Sequence, residues 1–553
     1  MELATAGGSH KATFALKSVP GLPGLPRTLR MSTAGRLVLR QRRQIAIEIQ
    51  QLPRLQPAGL GQLFQRGETN VALSPRFDGL VMLVLQPSFL GERLLAQAQR
   101  LPESLHPRQQ ALRCIVDWIN QRDPVFEAFV AFGDKSDDSA KVVFDLYSQG
   151  VLTSRDKWCY NFSRVALSAN MSRMIAFYNE EMARLAKLRA GQSKDDFLKL
   201  IEKELRTDAQ NISWSGNLKG DLARGDKHHL DEGDIVTGVY RPFCRTALLH
   251  NRRFNERVYQ LPKIFPAPGI TNLAIVVDSR GSTKGFSTLL VDTLPDYELI
   301  SKGQCFPLYL YEKDQSPEPG ELLAREQAGE LIGSYRRRSA ITPEILAEFR
   351  QIYEDRIAAE EVFYYIYGLL HSPEYRNRFA SDLKKMLPRL PFTRETVDFW
   401  KFSQAGRELA QWHLGYETIE PWPVQEHCSA LSLDPAKDFL VQKMTYGRPT
   451  AAQRTAGEKI DRTTLIYNAQ ITLTGIPLEA YDYVVNGKPA LDWIVERYQV
   501  TVDKDSGIRN DPNDWAREHN QPRYILDLFK RLIRVSLETN RIVASLPALN
   551  ERK

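Results

Sequence analysis

Apolar residues recur at intervals of three and four along a long stretch after the first quarter of the chain. Met171, Met174, Ile175 and Tyr178 follow this spacing, which predicts an amphipathic helix over residues 163–190. Ser193, with an acidic residue three positions later, predicts the start of a second helix before residues 197–201. The same reasoning predicts further helices from Pro343 to about Tyr353, from Glu360 to Leu370, after Pro489, and over 522–544.

Short β-rich segments lie in the middle of the chain. Residues 272–277 and 286–291 flank a glycine-containing turn, and 305–311 is a further strand, in which Pro307 favours an edge or a strand start. Residues 463–474 alternate like one strand, whereas 313–341 is charged and is predicted to be a loop. The pattern therefore predicts an α+β chain whose strands cluster between residues 235 and 475.

Charge and aromatic content divide the 553-residue chain near residue 110. Residues 1–110 contain 14 Lys and Arg against 6 Asp and Glu, and no Trp, Tyr or Cys. The remaining 443 residues contain 60 basic and 61 acidic side chains, so they are nearly neutral. We predict that 1–110 is a basic, aromatic-poor and poorly ordered N-terminal extension. The alternative is a basic arm that contacts nucleic acid.

Several classes of protein are disfavoured by what the sequence lacks. No apolar run approaches the roughly 18 residues of a membrane span, and the N-terminus has no signal-peptide pattern. The five cysteines form no Cys-x-x-Cys pair, which disfavours a disulfide scaffold or a zinc finger. We therefore expect a cytoplasmic protein without a membrane partner.

The common catalytic motifs are also missing. The chain has no P-loop, no Gly-x-Ser-x-Gly and no His-Glu-x-x-His, and its histidines show no metal-ligand spacing. Residues 511–514 resemble the adenine-methyltransferase motif only faintly, because the second proline and the aromatic residue are absent. The sequence thus offers no catalytic residue and no metal site.

A basic stretch with interleaved aromatic residues covers 236–290. Its eight cations oppose only Glu256 and Asp278, and arginine suits both phosphate oxygens and guanine edges. The candidate DNA-binding residues are Arg241, Arg245, Arg252, Arg253, Arg257, Lys263, Arg280 and Lys284. A weaker cluster comprises Arg376, Arg378, Lys384, Lys385, Arg389 and Arg394. The alternative is that these cations form ion pairs with carboxylates elsewhere in the fold.

A series of short motifs resembles one known family. The motifs are Tyr-Arg-Pro-Phe at 240–243, Asn-Arg-Arg-Phe-Asn-Glu-Arg at 251–257, Phe-Pro-Leu-Tyr-Leu-Tyr at 306–311, His-Ser-Pro-Glu-Tyr-Arg at 371–376, Pro-Arg-Leu-Pro at 388–391, Tyr-Asn at 467–468, Gly-Ile-Pro at 475–477 and Asn-Gly-Lys-Pro-Ala at 486–490. In this order they resemble the C-terminal part of type ISP restriction–modification enzymes, often labelled DEAD/DEAH-box helicases. The resemblance begins near residue 117. It implies that 111–235 is a mainly helical segment similar to the exit of the methyltransferase domain, and that 236–553 is a mixed α/β target-recognition domain with a C-terminal helical part.

The family's motor, nuclease and adenine-methyltransferase motifs all lie upstream of this resemblance and are absent from the chain. S-adenosylmethionine, ATP and Mg are therefore expected only for those missing domains, and none is expected here. The resemblance implies a module that recognises double-stranded DNA in bacterial defence, either alone or beside a separate motor and methyltransferase polypeptide. The alternative is a self-sufficient methyltransferase or nuclease with unrecognised motifs.

Overall fold

The computed structural model describes residues 123–137, 139–188, 191, 193–314, 329–430 and 432–552, together with four strands nearer the N-terminus. Two compact units divide the chain at Gln121 and Arg122. In the first unit, β1 (Thr13–Ala15) pairs with β2 (Thr28–Arg30), and β3 (Ala46–Gln50) with β4 (Leu80–Val84). The expected disorder of 1–110 and the boundary near 110 concern residues outside this description, and both stay predictions.

Helices occupy much of the second unit. In chain order they are α1 (Asp156–Cys159), α2 (Arg164–Ala186), α3 (Lys194–Glu204), α4 (Gly216–Arg224), α5 (Pro343–Ile352), α6 (Ala359–His371), α7 (Pro373–Arg378), α8 (Ala380–Leu383), α9 (Thr396–Leu414), α10 (Ala451–Thr455), α11 (Ala490–Arg497), α12 (Pro512–Glu518) and α13 (Tyr524–Ala544). Short 3-10 helices cover Pro124–Ala128, Glu232–Asp234, Leu261–Lys263 and Leu478–Tyr481. Ser193 caps α3 as predicted, and Ser163 caps α2, because each hydroxyl accepts a hydrogen bond from an amide of the first turn.

The strands of the second unit are short. They are β5 (Val130–Ala131), β6 (Ser148–Gln149), β7 (Tyr160–Asn161), β8 (Ile235–Arg241), β9 (Cys244–Leu249), β10 (Ala274–Val277), β11 (Thr288–Val291), β12 (Leu294–Pro295), β13 (Gln304–Pro307), β14 (Tyr309–Lys313), β15 (Glu330–Ile332), β16 (Tyr335–Ser339), β17 (Arg389–Leu390), β18 (Gln425–Cys428), β19 (Thr445–Gly447), β20 (Asp461–Ile466), β21 (Ile471–Thr474), β22 (Val484–Val485), β23 (Lys488–Pro489), β24 (Thr501–Val502) and β25 (Arg509–Asn510).

These strands form four sheets and several two-stranded ladders. The sheet orders are β11-β10-β13-β6, β12-β8-β9-β7, β14-β16-β15 and β18-β21-β20-β19, with β12 and β8 parallel and the other pairs antiparallel. Strands β6 and β7 come from the segment 111–235 and pair with strands that follow residue 235. The sheets therefore join the two predicted segments. The α+β fold class is confirmed.

Helices α6 and α9 cross at two glycines. A Cβ atom on Gly406 would lie 1.9 Å from the carbonyl oxygen of Tyr364, and one on Gly368 would lie 2.2 Å from that of Phe402. Such distances leave no room for any side chain, so the two backbones are in direct contact. This crossing helps to position α9 against β11 and α13.

A chain of hydrogen bonds connects four elements through the core. The Leu290 amide donates to the Tyr367 hydroxyl (3.1 Å), which donates to Nδ1 of His413 (2.6 Å). His413 Nε2 lies 2.9 Å from Oγ1 of Thr539, and that hydroxyl donates to the Val535 carbonyl at 2.7 Å. Because the hydroxyl proton of Thr539 is already used, Nε2 of His413 must be the donor, and with Nδ1 accepting from Tyr367 the ring is neutral. Burial lowers the pKa of His413 to about 3.

Three sequence predictions of secondary structure were wrong in detail. Residues 330–339 are not loop but the β15–β16 hairpin, in which Arg336 and Arg337 pair with Asp314 and Glu330. Residues 463–474 contain two strands rather than one, because the Asn468 side chain accepts hydrogen bonds from the amides of a tight turn. Residues 305–311 belong to two strands of different sheets, β13 and β14, rather than to one strand. Pro307 ends β13, an interior strand, rather than starting a strand or lying at an edge.

The described helices include none with the length and apolar character needed to cross a membrane. Thiols are unevenly placed in the described part of the chain. Cys159, Cys244 and Cys305 are buried, while Cys428, at the end of β18, is exposed. Burial raises the pKa of Cys159 and of Cys244 to about 12.

Candidate nucleic-acid interface

Arg241 and Arg245 lie on the β8–β9 hairpin and form internal ion pairs. The guanidinium of Arg241 contacts the buried Asp296 and stacks on the Tyr240 ring at 4.0 Å, and its side chain is only 14% exposed. Arg245 lies 2.9 Å from Asp292 and 3.0 Å from Glu417. The guanidinium groups of these two candidates therefore form ion pairs with carboxylates of the fold, which is the alternative to DNA contact.

Four other candidates lie on the loop that follows β9. Phe254 and Asn255 are buried, and the Asn255 amide group donates to the Leu249 carbonyl at 3.0 Å. Asn251 Oδ1 accepts from the Arg253 amide at 2.8 Å, which closes a tight turn. The buried residues and these hydrogen bonds fix the loop, and the side chains of Arg252, Arg253, Arg257 and Lys263 are exposed.

The guanidinium of Arg253 contacts a buried histidine, His228. Its Nη1 lies 3.3 Å from Nδ1 of His228, whose Nε2 lies 3.0 Å from Asp221 Oδ2. A guanidinium can only donate, so Nδ1 accepts and the ring proton on Nε2 points to Asp221. Burial lowers the pKa of His228, which keeps the ring neutral. In the described residues no such bond or ion pair engages the side chains of Arg252 and Arg257.

The last two candidates lie on the β10–β11 loop. Arg280 and Lys284 are exposed there, and the Gly281 amide donates to the Lys384 carbonyl at 2.8 Å. Gly487, in the left-handed region at φ +74°, allows the Lys284 stem to pack against the β22–β23 turn. Below the loop, Asp278 is buried, and burial raises the pKa of its carboxyl to about 7.

Three arginines of the weaker cluster form ion pairs or hydrogen bonds within the fold. Arg378 pairs with Asp123 and Glu551, and Arg389 donates to the carbonyls of Glu127 and Phe129. Arg376 is partly buried and donates to the Leu370 carbonyl. Lys384 and Arg394 are exposed, and Lys384 adjoins the β10–β11 loop through the bond to Gly281.

The structure shows a further basic surface that the sequence analysis did not identify. Residues 443–460 contain four cations against Glu458 alone, and they comprise β19 and the mostly exposed segment 448–460 that connects it to β20. Lys443, Arg448, Arg454 and Lys459 are all exposed. The sequence indicates this surface only through a local excess of positive charge, which is smaller than that of 236–290.

The described residues hold no cluster of three or more histidine, cysteine, aspartate or glutamate side chains suited to a metal ion. The chemistry available at these surfaces is therefore that of exposed guanidinium and ammonium groups, which bind phosphate and base edges.

Comparison with known proteins gives a consistent result. The profile of the type ISP C-terminal specificity domain matches residues 142–528. Among solved structures, the chain is similar to the ATP-dependent type ISP restriction–modification enzyme LlaBIII bound to DNA, with 31% identity, a TM-score of 0.64, and coverage of 78% of this chain and 25% of that one.

Two further structures are similar. One is a nuclease-deletion mutant of the type ISP enzyme LlaGI in complex with a DNA substrate mimic, at 29% identity and a TM-score of 0.66, covering 86% of this chain and 41% of that one. The other is a DrdV–DNA complex, at 25% identity and a TM-score of 0.64, covering 86% and 45%. The chain thus spans less than half the length of each. No curated protein matches it.

Proposed function

Because the chain belongs to the type ISP C-terminal specificity domain family, we propose that it is a DNA target-recognition module of a restriction–modification system. The family match over residues 142–528 is the observation on which this proposal rests. That range contains the exposed cations of the β9 and β10–β11 loops and of segment 443–460. Base-edge contacts would supply sequence specificity, and phosphate contacts would fix the register on the duplex.

The proposed activity of this chain is duplex recognition. The similar enzymes are longer than this chain, in which the family's motor, nuclease and methyltransferase motifs do not occur. We propose a separate motor and methyltransferase polypeptide as a partner, and ATP, Mg and S-adenosylmethionine would serve that polypeptide. The module would meet its duplex in the bacterial cytoplasm.

Binding of a fluorescent duplex by the full chain tests the proposal. Affinity should fall at least tenfold between about 50 and about 200 mM salt, because each neutralised phosphate releases counterions. Selection from a pool of duplexes with a randomised core should then enrich one short sequence.

The enzyme alternative makes a different prediction. A self-sufficient methyltransferase would transfer a radiolabelled methyl group from S-adenosylmethionine to duplex DNA, whereas a recognition module would not. The absence of duplex binding at low salt, or a pool that stays random after selection, would contradict the proposed function.

A further inference from the structure

The four-stranded sheet β18-β21-β20-β19 has one face in the core and one in solvent. Leu465 and Leu473 lie opposite each other on the inner face and are fully buried. The register places two rows on the outer face, first Gln425, Thr474 and Thr464, then His427, Thr472, Ile466 and Thr445. We call these seven residues the outer sheet face.

The outer sheet face has hydrogen-bonding groups and no lysine, arginine, aspartate or glutamate side chain. The carboxylate of β18, Glu426, points to the opposite side, where Arg523 and Lys530 neutralise it. Edge strands often carry lysine or other charged side chains, which oppose edge pairing. The two edge strands of this sheet, β18 and β19, place Gln425, His427 and Thr445 on the outer face instead.

Hydrogen bonds orient the polar groups of this face. Thr474 Oγ1 donates to Oε1 of Gln425 at 3.3 Å, so Nε2 of His427, 2.7 Å away, must donate to Thr474. The two amide protons of Gln425 and the Nδ1 acceptor of His427 consequently remain available to a ligand. Ile466, 38% exposed, adds a methyl surface beside them.

The segment 448–460 connects β19 to β20, two strands of this face, and contains three cations against Glu458 alone. Its short helix α10 is fixed by a capping box between Thr450 and Gln453, and Gln453 Nε2 donates to Asp461 at 3.0 Å. Apart from Pro449 and Gln453, every residue of 448–460 is exposed. Among the described residues, no ion pair engages Arg448, Arg454 or Lys459. The strands of the outer sheet face are thus connected by a segment whose three cations form no ion pair with the described residues.

This combination suits a DNA groove, where bases lie between two phosphate backbones. A pair of β-strands fits the major groove, and β18 with β21 is such a pair, carrying Gln425, His427, Thr472 and Thr474 on the outer face. Glutamine pairs with adenine, and threonine methyl groups contact the thymine methyl group. We propose, resting on the function proposed above, that the outer sheet face reads base edges and that Arg448, Arg454 and Lys459 contact the flanking phosphates. Specificity would then arise from this sheet and not from the basic stretch 236–290.

Substitutions on the two parts separate these roles. Gln425→Ala and Thr472→Ala should each lower affinity for the selected duplex by roughly five- to 150-fold while leaving the affinity for random duplex unchanged. Arg448→Ala with Arg454→Ala should weaken binding to both duplexes and reduce the slope of log K against log salt by about 2. Gln404→Ala, exposed on α9, is the control for the face, and Lys199→Ala with Lys203→Ala on α3 is the control for charge.

The outcomes distinguish this inference from the proposed function. If the wild-type chain selects a sequence, but the face variants select the same sequence with unchanged affinity, the inference is overturned and the proposed function stands. The same holds if the variants change only thermal stability. If the wild-type chain binds no duplex, both fail.

Discussion

At the scale of single residues, burial decides what an arginine does. Arg241 and Arg252 lie eleven positions apart in one basic stretch, so a count of local charge does not distinguish them. The first lies against a buried aspartate, whereas the second points into solvent. Because a sequence window contains no information on distant partners such as Asp296, charge counting alone could not separate the two.

Removing the buried arginine should destabilise the fold. Arg241→Ala leaves Asp296 buried without its partner, and we expect a loss of roughly 3–5 kcal/mol in the free energy of unfolding. Urea denaturation measures this loss. Arg241→Met combined with Asp296→Leu should recover most of it, since neither charge then remains; an equally unstable double variant would refute the ion-pair explanation.

Removing the exposed arginines should change binding and not stability. Arg252→Ala with Arg253→Ala is expected to weaken binding to all duplex sequences about equally and to lower the salt slope, as phosphate contacts require. A titration at two salt concentrations, beside the Lys199→Ala, Lys203→Ala control, measures the effect. Unchanged affinity would remove this loop from the interface, and a loss confined to one base would indicate a base contact.

Acid should weaken the core at His413. In an unfolded chain histidine has a pKa of about 6.5, whereas burial holds that of His413 at about 3. The unfolded state therefore binds the extra proton between these values, and stability falls as pH decreases below about 6.5. Melting temperatures between about pH 7 and about pH 5 should show this fall, and His413→Gln should make it shallower. An identical slope in the variant would exclude His413 as a source.

At the scale of elements, the sequence predicted helices better than strands. The signals for helices lie within a few residues of the helix itself: apolar spacing of three and four for α2, and the Ser193 cap for α3. The starts of both helices were therefore predicted accurately. The β15–β16 hairpin is arginine-rich and depends on partners elsewhere, and its strands have no apolar alternation. The outer sheet face was missed for a related reason, because exposure of a row depends on a register formed by four separate segments.

A side chain at either glycine of the crossing between α6 and α9 should destabilise the fold. Gly406→Ala would place a methyl group 1.9 Å from the Tyr364 carbonyl oxygen, which requires the helices to separate. We expect a loss of about 3 kcal/mol, at the upper end for overpacked cores, measured by thermal unfolding. Gly216→Ala, where no atom lies within 4 Å, serves as the control and should be nearly neutral. Equal effects of the two substitutions would contradict the close crossing.

At the scale of the whole molecule, the second unit contains the family match and all the surfaces discussed above. Its boundary at Gln121 and Arg122 lies close to the change in composition near residue 110. Sheets that combine strands from before and after residue 235 make the described part of this unit one folded body.

Deletion of residues 1–110 should leave the rest folded. The first segment lacks tryptophan and tyrosine, which anchor most cores, and it forms a separate compact unit with its neighbours up to Gln121. We expect the truncated chain to retain a cooperative thermal transition, followed by circular dichroism, together with salt-sensitive duplex binding. Loss of the cooperative transition would show that the segment stabilises the second unit.

The uneven exposure of the thiols makes the protein suitable for site-selective spectroscopy. A maleimide dye should react at Cys428 and spare Cys159, Cys244 and Cys305, which are buried. If Cys114, which lies outside the described residues, is replaced by serine, the dye would mark the end of β18, three positions from Gln425 on the same strand. Its emission should then change as a duplex approaches, so the arrival of DNA could be followed in real time without labelling the nucleic acid.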